Sequence, residues 1–122
     1  MSTIKVNSIQ NTSGVEVYTA KAWVNFNGTG TVAIRASGNV SSITDNGTGD
    51  YTINFTNAVS DSNYALLVTG VSSTTSDPST TVTPIIYGQY TTKATSSCRI
   101  ISMYGTGANA FDTATICAAI FR

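Results

Sequence analysis

The chain has 122 residues, six basic and six acidic side chains spread singly, two cysteines and no histidine. That length fits one domain able to bury a core without disulfides or metal. The balanced charge excludes a basic nucleic-acid-binding stripe, the lack of histidine excludes His-dependent triads and histidine-ligated metals, and no apolar run approaches the roughly 20 residues of a membrane helix.

Thr, Ser and Asn supply 46 of the 122 residues, while charged residues make up only 10%. The surface is therefore polar but nearly uncharged. Such a surface gives weak long-range steering and little protection against self-association. It suits life in an assembly, or contact with neutral ligands such as glycans.

Residues 1–14 alternate only weakly, at Ile4, Val6 and Ile9. They are expected to form an extended N-terminal arm that is ordered against a partner. They lack an apolar h-region, so no secretory signal is expected. From Val15 onward the period is two nearly everywhere, and no helical stripe persists. Val15, Val17 and Thr19 alternate with Glu16, Tyr18 and Ala20. Val24 and Phe26 share one face, with Trp23 and Asn25 on the other. Val32 and Ile34 alternate with Thr31, Ala33 and Arg35.

The stretch ITDNGTGDYTINF, residues 43–55, brackets a glycine-rich segment with Asp45 and Asp50. A two-residue Asn46-Gly47 turn would set Ile43 opposite Asp50, on the wrong face. A five-residue connection over 46–50 instead sets Ile43 opposite Ile53 and Asp45 opposite Tyr51, in agreement with the Tyr51, Ile53, Phe55 face. Val40 then needs a bulge near Ser41-Ser42. A calcium loop needs several convergent oxygens, and this segment offers two carboxylates, so the turn reading is preferred over an ion site.

Tyr64 to Val68 is apolar on both faces and predicts a central strand. Ser72 to Thr81 predicts a protruding loop. Val82 to Tyr90 predicts a further strand, with Pro84 placing its start at an edge or bulge. Cys98 to Tyr104 and Ala114 to Phe121 complete the set. Cys98 and Cys117 are expected to be reduced and buried, although two neighbouring antiparallel strands would bring the sulfurs close. Short strands separated by Asn/Gly/Ser/Asp turns predict an all-β fold, an antiparallel β-sandwich over residues 15–122 preceded by the arm.

Motifs with catalytic overtones are weak. Ser2-Thr-Ile-Lys5 matches S-x-x-K at a terminus with no helix to align it. Gly105 to Ala110 matches G-x-G-x-x-A but is followed by a strand-like segment, so it reads as a hairpin turn. The carboxylates sit mostly in turns, where they bond local amides, and nothing pairs two of them across a cleft. No enzyme activity, cofactor or metal is expected. Trp23, Tyr18, Tyr87, Tyr90 and Tyr104 are candidates for sheet packing, subunit contact or sugar stacking.

Ile4 to Gly14, Lys21 to Gly30, Ile43 to Phe55, Asn63-Tyr64-Ala65 and the terminal Ala119 to Arg122 together resemble a module of tailed bacteriophages, found in tail-fibre-like and other virion proteins of phages that infect cyanobacteria and marine bacteria. The likeness is dense over residues 1–70 and thin over 71–115. It implies a jelly-roll-like β-sandwich on the virion surface, made in the host cytoplasm and assembled as a homotrimer. The partners implied are copies of itself, other virion proteins of capsid or tail, and a host surface glycan. Nucleic acid and membrane insertion are not expected. The size suits a small fibre tip, a head fibre, or a capsid decoration (cement) protein. On this reading Trp23, Phe26 and Tyr18 are candidates for the oligomer interface. Thr74, Asp77, Tyr104 and Asn109 are candidates for outer binding loops, and residues 1–14 dock to the particle.

Overall fold

The computed structural model describes residues 2–71, 92–104 and 109–122, with Tyr104 described by its backbone alone. Among these residues nine strands follow in chain order: β1 (Ala22–Asn27), β2 (Ala33–Gly38), β3 (Val40–Gly47), β4 (Asp50–Phe55), β5 (Ala65–Val71), β6 (Ser97–Ile101), β7 (Met103–Tyr104), β8 (Asn109–Ala110) and β9 (Thr115–Phe121). They form a four-stranded sheet in the order β2-β1-β9-β5, a three-stranded sheet in the order β3-β4-β6, and the short β7-β8 ribbon. Every pairing is antiparallel. The two larger sheets pack face to face, as expected for a β-sandwich.

The core follows from strand parity. Ala22, Val24 and Phe26 of β1 and Ile116, Ala118 and Ile120 of β9 point inward from one sheet. Tyr51, Ile53 and Phe55 of β4, with Cys98 and Ile100 of β6, meet them from the other. Phe26 contacts Tyr51 edge to face, with ring centroids 5.3 Å apart, and Phe55 does the same with Tyr64 at 6.2 Å. Such pairs each add about 0.5–1.5 kcal/mol beyond area burial.

The β3–β4 register is the one the apolar faces demand: Ile43 pairs with Ile53 and Asp45 with Tyr51, and a register shift lies between Val40 and Ser42. The ladder runs one pair beyond expectation, to Gly47 opposite Asp50, with a second shift absorbing Asn46. The tip therefore shrinks to Thr48-Gly49, and both flanking glycines have positive φ, +134° at Gly47 and +66° at Gly49.

One residue turns the chain from the first sheet to the second. Asn39, between β2 and β3, sits in the left-handed region at φ 56°. Its Nδ2 donates to the carbonyls of Lys21 and Asn57 at 2.9 and 3.0 Å, and its Oδ1 accepts from the Asn57 amide at 2.8 Å. The corner thus ties the entry to β1 to the exit from β4.

Two expectations need correction, and another is met in part. Val15 to Thr19 form no sheet strand: the segment makes only a small ribbon with residues 9–11, through the Gln10–Glu16 bridge and a Val17 amide to Ile9 carbonyl bond of 2.6 Å. Among the described residues, alternation there finds no sheet to pack on. Second, of the two neighbours a central strand needs, the described residues supply one: β5 pairs with β9. Its two-faced apolar run divides by parity: Leu66 and Val68 pack on the core while Leu67 and Val71 point to solvent. Third, the strand expected over 98–104 breaks at Ser102. The Ser102 amide bonds the Gly49 carbonyl at 2.7 Å, and its carbonyl accepts from the Phe111 amide at 2.9 Å. The expected loop 72–81, the strand 82–90 and most of the turn 105–109 lie outside the described residues.

The cysteines lie in different sheets. Cys98 is buried on the core side of β6, whereas Cys117 is only half-buried on the outer side of β9, and both are free. The expectation of two buried thiols holds for Cys98 alone.

Candidate interaction surface

The outer face of the four-stranded sheet is set by the same parity that fills the core. With Ala22, Val24 and Phe26 inward, Trp23 and Asn25 must face out. On β9 the outward residues are Thr115, Cys117, Ala119 and Phe121, and on β5 they are Ala65, Leu67, Thr69 and Val71. Cross-strand pairing lines up Gly38, Trp23, Ala119 and Leu67 in one row. Ala119 is a notch between two large apolar neighbours. Trp23 is 44% exposed and Leu67 54%, a large apolar display for a sheet face.

Trp23, Asn25, Leu67, Thr69, Cys117 and Ala119 line a shallow groove of about 370 Å³ there. None of these six is an Asp, Glu, Lys, Arg or His. The charged group at the margin is Arg35 of β2, whose guanidinium reaches across β1 to β9. It donates to the Ala114 carbonyl at 2.7 Å and to Asn25 Oδ1 and Thr115 Oγ1, each at 3.3 Å.

The arm forms a second surface. Asn11 shapes its turn, with Oδ1 accepting from the amides of Ser13 and Val15 at 3.0 Å. Gly14 follows with φ +78°. The ribbon exposes Ile4, Val6, Ile9, Val15, Val17 and Tyr18, with Ile4 at 88% and Tyr18 at 77%. Between the arm and the C-terminal Phe121-Arg122 lies a cleft of about 470 Å³, which Val6, Glu16, Val17 and Tyr18 help to line. Arg122 is fixed there by a two-pronged ion pair with Asp61, at 2.8 and 2.7 Å.

The glycine-rich turn serves the fold. Asp45 Oδ1 accepts from the Gly47 amide at 3.0 Å, and Asp50 pairs with the Arg99 guanidinium, so the bracketing carboxylates hold different partners. Arg99 keeps the Asp50 carboxyl below the usual range. The tip docks instead on the segment before β9. The Gly49 amide donates to Asp112 Oδ1 at 2.7 Å, and Tyr51 Oη lies 2.7 Å from the Gly28 carbonyl and 3.0 Å from the same Asp112 oxygen. Burial, then the Asp112 carboxylate, push the Tyr51 phenol well above its ordinary range. Beneath it, Ser102 Oγ and Thr113 Oγ1 share a buried hydrogen bond of 2.6 Å. A polar plug closes this end of the sandwich. No cluster of three or more His, Cys, Asp or Glu residues occurs among the described residues.

The sequence-derived candidates separate. Trp23 stands on the outer face, as an interface residue should. Phe26 does not: it is fully buried against Tyr51, because it shares the inward parity of Val24. Tyr18 is exposed on the arm, at the far cleft and not beside Trp23. Asn109 is exposed on β8, opposite Tyr104. Thr74 and Asp77 lie outside the described residues, as does the Tyr104 side chain. Leu67, Ala119 and Arg35 were not singled out from sequence; the outward parity of an apolar β5 was the signal available for Leu67.

No helix among the described residues is long and apolar enough to cross a membrane. No family model, curated protein or solved structure matches the chain.

Proposed function

We propose that this chain is a structural protein of a tailed-bacteriophage particle, a β-sandwich that assembles with copies of itself into a surface knob. The observation that carries the reading is the outer face of the β2-β1-β9-β5 sheet, where Trp23 and Leu67 stand half exposed around an uncharged groove. Apolar patches of this kind on a small domain mark interaction surfaces. The chain's low charge leaves little repulsion between copies. The resemblance of residues 1–70 and 119–122 to phage virion modules supplies the biological setting, and a homotrimer is the assembly it favours. The knob would sit at a fibre tip or head fibre and meet neutral host glycans through its outer loops.

Two measurements test the proposal. Solution mass comes first: a species near three times the 12.7 kDa chain mass is expected, and a monomer at all concentrations defeats the self-association on which the knob depends. Gold-labelled antibody on intact particles then locates the protein. Label at a tail or on projecting fibres is the expected result. Label spread evenly over the head shell replaces the knob with a capsid decoration role, and unlabelled particles remove the chain from the virion.

A further inference from the structure

The arm and the outer sheet face complement each other in both apolar surface and charge. Among the described residues, the ion pairs are Arg99 with Asp50 and Arg122 with Asp61. Arg35, at the margin of the outer face, is held among the described residues by neutral acceptors alone. Glu16, on the arm, has no cationic partner among the described residues. It lies between Val15 and Val17, both exposed. Among the described residues, a guanidinium in no ion pair borders one apolar surface, and a carboxylate in no ion pair, in a cleft shared with Lys21 and Arg122, is set in the other.

Within one chain the arm reaches only the Phe121 edge of that face and leaves the groove at Trp23 open. The arm residues line a cleft with Phe121 and Arg122, and no residue of that cleft lines the groove at Trp23. The arm's own ribbon is two-stranded and exposes its apolar side chains. A two-stranded ribbon standing alone is marginal in water and gains stability only by packing an apolar face on something else. Compact β-branched side chains such as Ile and Val suit the row in which Ala119 forms a notch between Trp23 and Leu67.

We propose that the arm, residues 2–20, of one copy lies on the outer face of the four-stranded sheet of a second copy, with Glu16 facing Arg35. This rests on the self-association proposed above and names the surfaces that carry it. A head-to-tail contact of this kind uses two different patches, so it closes into a ring when the rotation between copies allows. Residues of the arm then serve the contact between copies.

The test uses the full chain, with oligomer mass followed against concentration by sedimentation, for the natural protein and for Glu16→Arg, Arg35→Glu, the double exchange, and Ile4→Asp. Each single charge reversal is expected to weaken association by about fivefold per contact, the size of a good exposed ion pair. The double exchange should restore it, because opposite charges again face each other. Ile4→Asp should weaken association without changing the urea midpoint at dilutions where the protein is monomeric, since Ile4 is 88% exposed. The natural protein's Trp23 fluorescence, from the chain's one tryptophan, should shift to shorter wavelength as copies associate. If the natural protein associates but the reversals and Ile4→Asp leave its mass unchanged, or the double exchange fails to restore it, the arm-on-face contact is wrong while self-association stands. If the natural protein is monomeric throughout, self-association itself fails. Should Arg35→Glu fail to fold, Glu16→Arg and Ile4→Asp decide alone: loss of association in both supports the contact, and no loss overturns it.

Discussion

The indole of Trp23 lies directly over Gly38, its cross-strand partner on β2, so that a methyl group at position 38 would run into the indole ring. A glycine in a strand interior lacks a side chain to pack, and an aromatic ring across from it covers the gap. The ring is held flat against the sheet on one side and left exposed on the other. Gly38→Ala is therefore expected to lift the indole off the sheet while leaving the core untouched. The cost is about 1 kcal/mol in the urea midpoint, within the range for overpacking. Tryptophan emission should move to longer wavelength in the monomer. An unchanged spectrum and midpoint would mean that the ring does not rest on Gly38.

Asn39 combines a strained backbone with three side-chain hydrogen bonds, so its substitutions separate the two effects. Asn39→Ala loses the bonds to Lys21 and Asn57 and places a Cβ in the left-handed region, at a cost of about 2–4 kcal/mol. Asn39→Gly loses the same bonds but is at ease with φ 56°, and should cost about 1 kcal/mol less than alanine. Chemical denaturation gives the order natural, Gly, Ala. Equal losses for both variants would assign the whole effect to the side chain.

Much of the sandwich is legible in the sequence because the pleat has a strict period. Only one register lets Tyr51, Ile53 and Phe55 face inward with Ile43 opposite Ile53, and that register forms. The same parity separates Trp23 from Phe26, yet it cannot say which side meets a second sheet, and the interface candidates of the phage-module reading took in both. Val15 and Val17 carry a strand pattern, but a pattern makes a strand only where a neighbour completes the ladder. Asn39 reads locally as a turn residue, while its role depends on Lys21 and Asn57, each 18 residues away. Leu67 looks like the mark of a central strand because an apolar outer face and a buried one leave the same trace in sequence.

At low pH the Asp61–Arg122 pair should fail. Arg122 and the Asn63 amide lower the Asp61 carboxyl from 3.8 to about 2. A carboxyl depressed in the folded state contributes stability above its unfolded value and loses it as pH falls toward the folded one. The loss therefore runs from about pH 4 to pH 2. The pair is exposed and screened, so the effect is small. Asp50, lowered by Arg99, acts with the same sign. Urea midpoints measured between pH 5 and 2 should decline, and Asp61→Asn should remove part of the slope. An identical slope in the variant would leave Asp61 without a share in acid sensitivity.

The two thiols should behave differently, since the β-sandwich holds Cys98 inside and Cys117 at the outer face. At pH 8, in native protein diluted until it is monomeric, a disulfide reagent is expected to modify Cys117 and to reach Cys98 only after denaturation. Burial raises the Cys98 thiol from 9.0 to about 12, and burial likewise raises the Tyr64 phenol from 10.0 to about 12. For an acid whose folded pKa is raised, stability is complete below the unfolded value and is lost as pH climbs to the folded one. Alkaline destabilisation should then begin above about pH 9, from the thiol, and steepen above about pH 10, from the phenol. Cys98→Ala should remove the first part of that slope, at about 1 kcal/mol of neutral-pH stability for the small cavity left. Rapid modification of both thiols in the native state, or an unchanged alkaline slope in the variant, would place Cys98 outside the core.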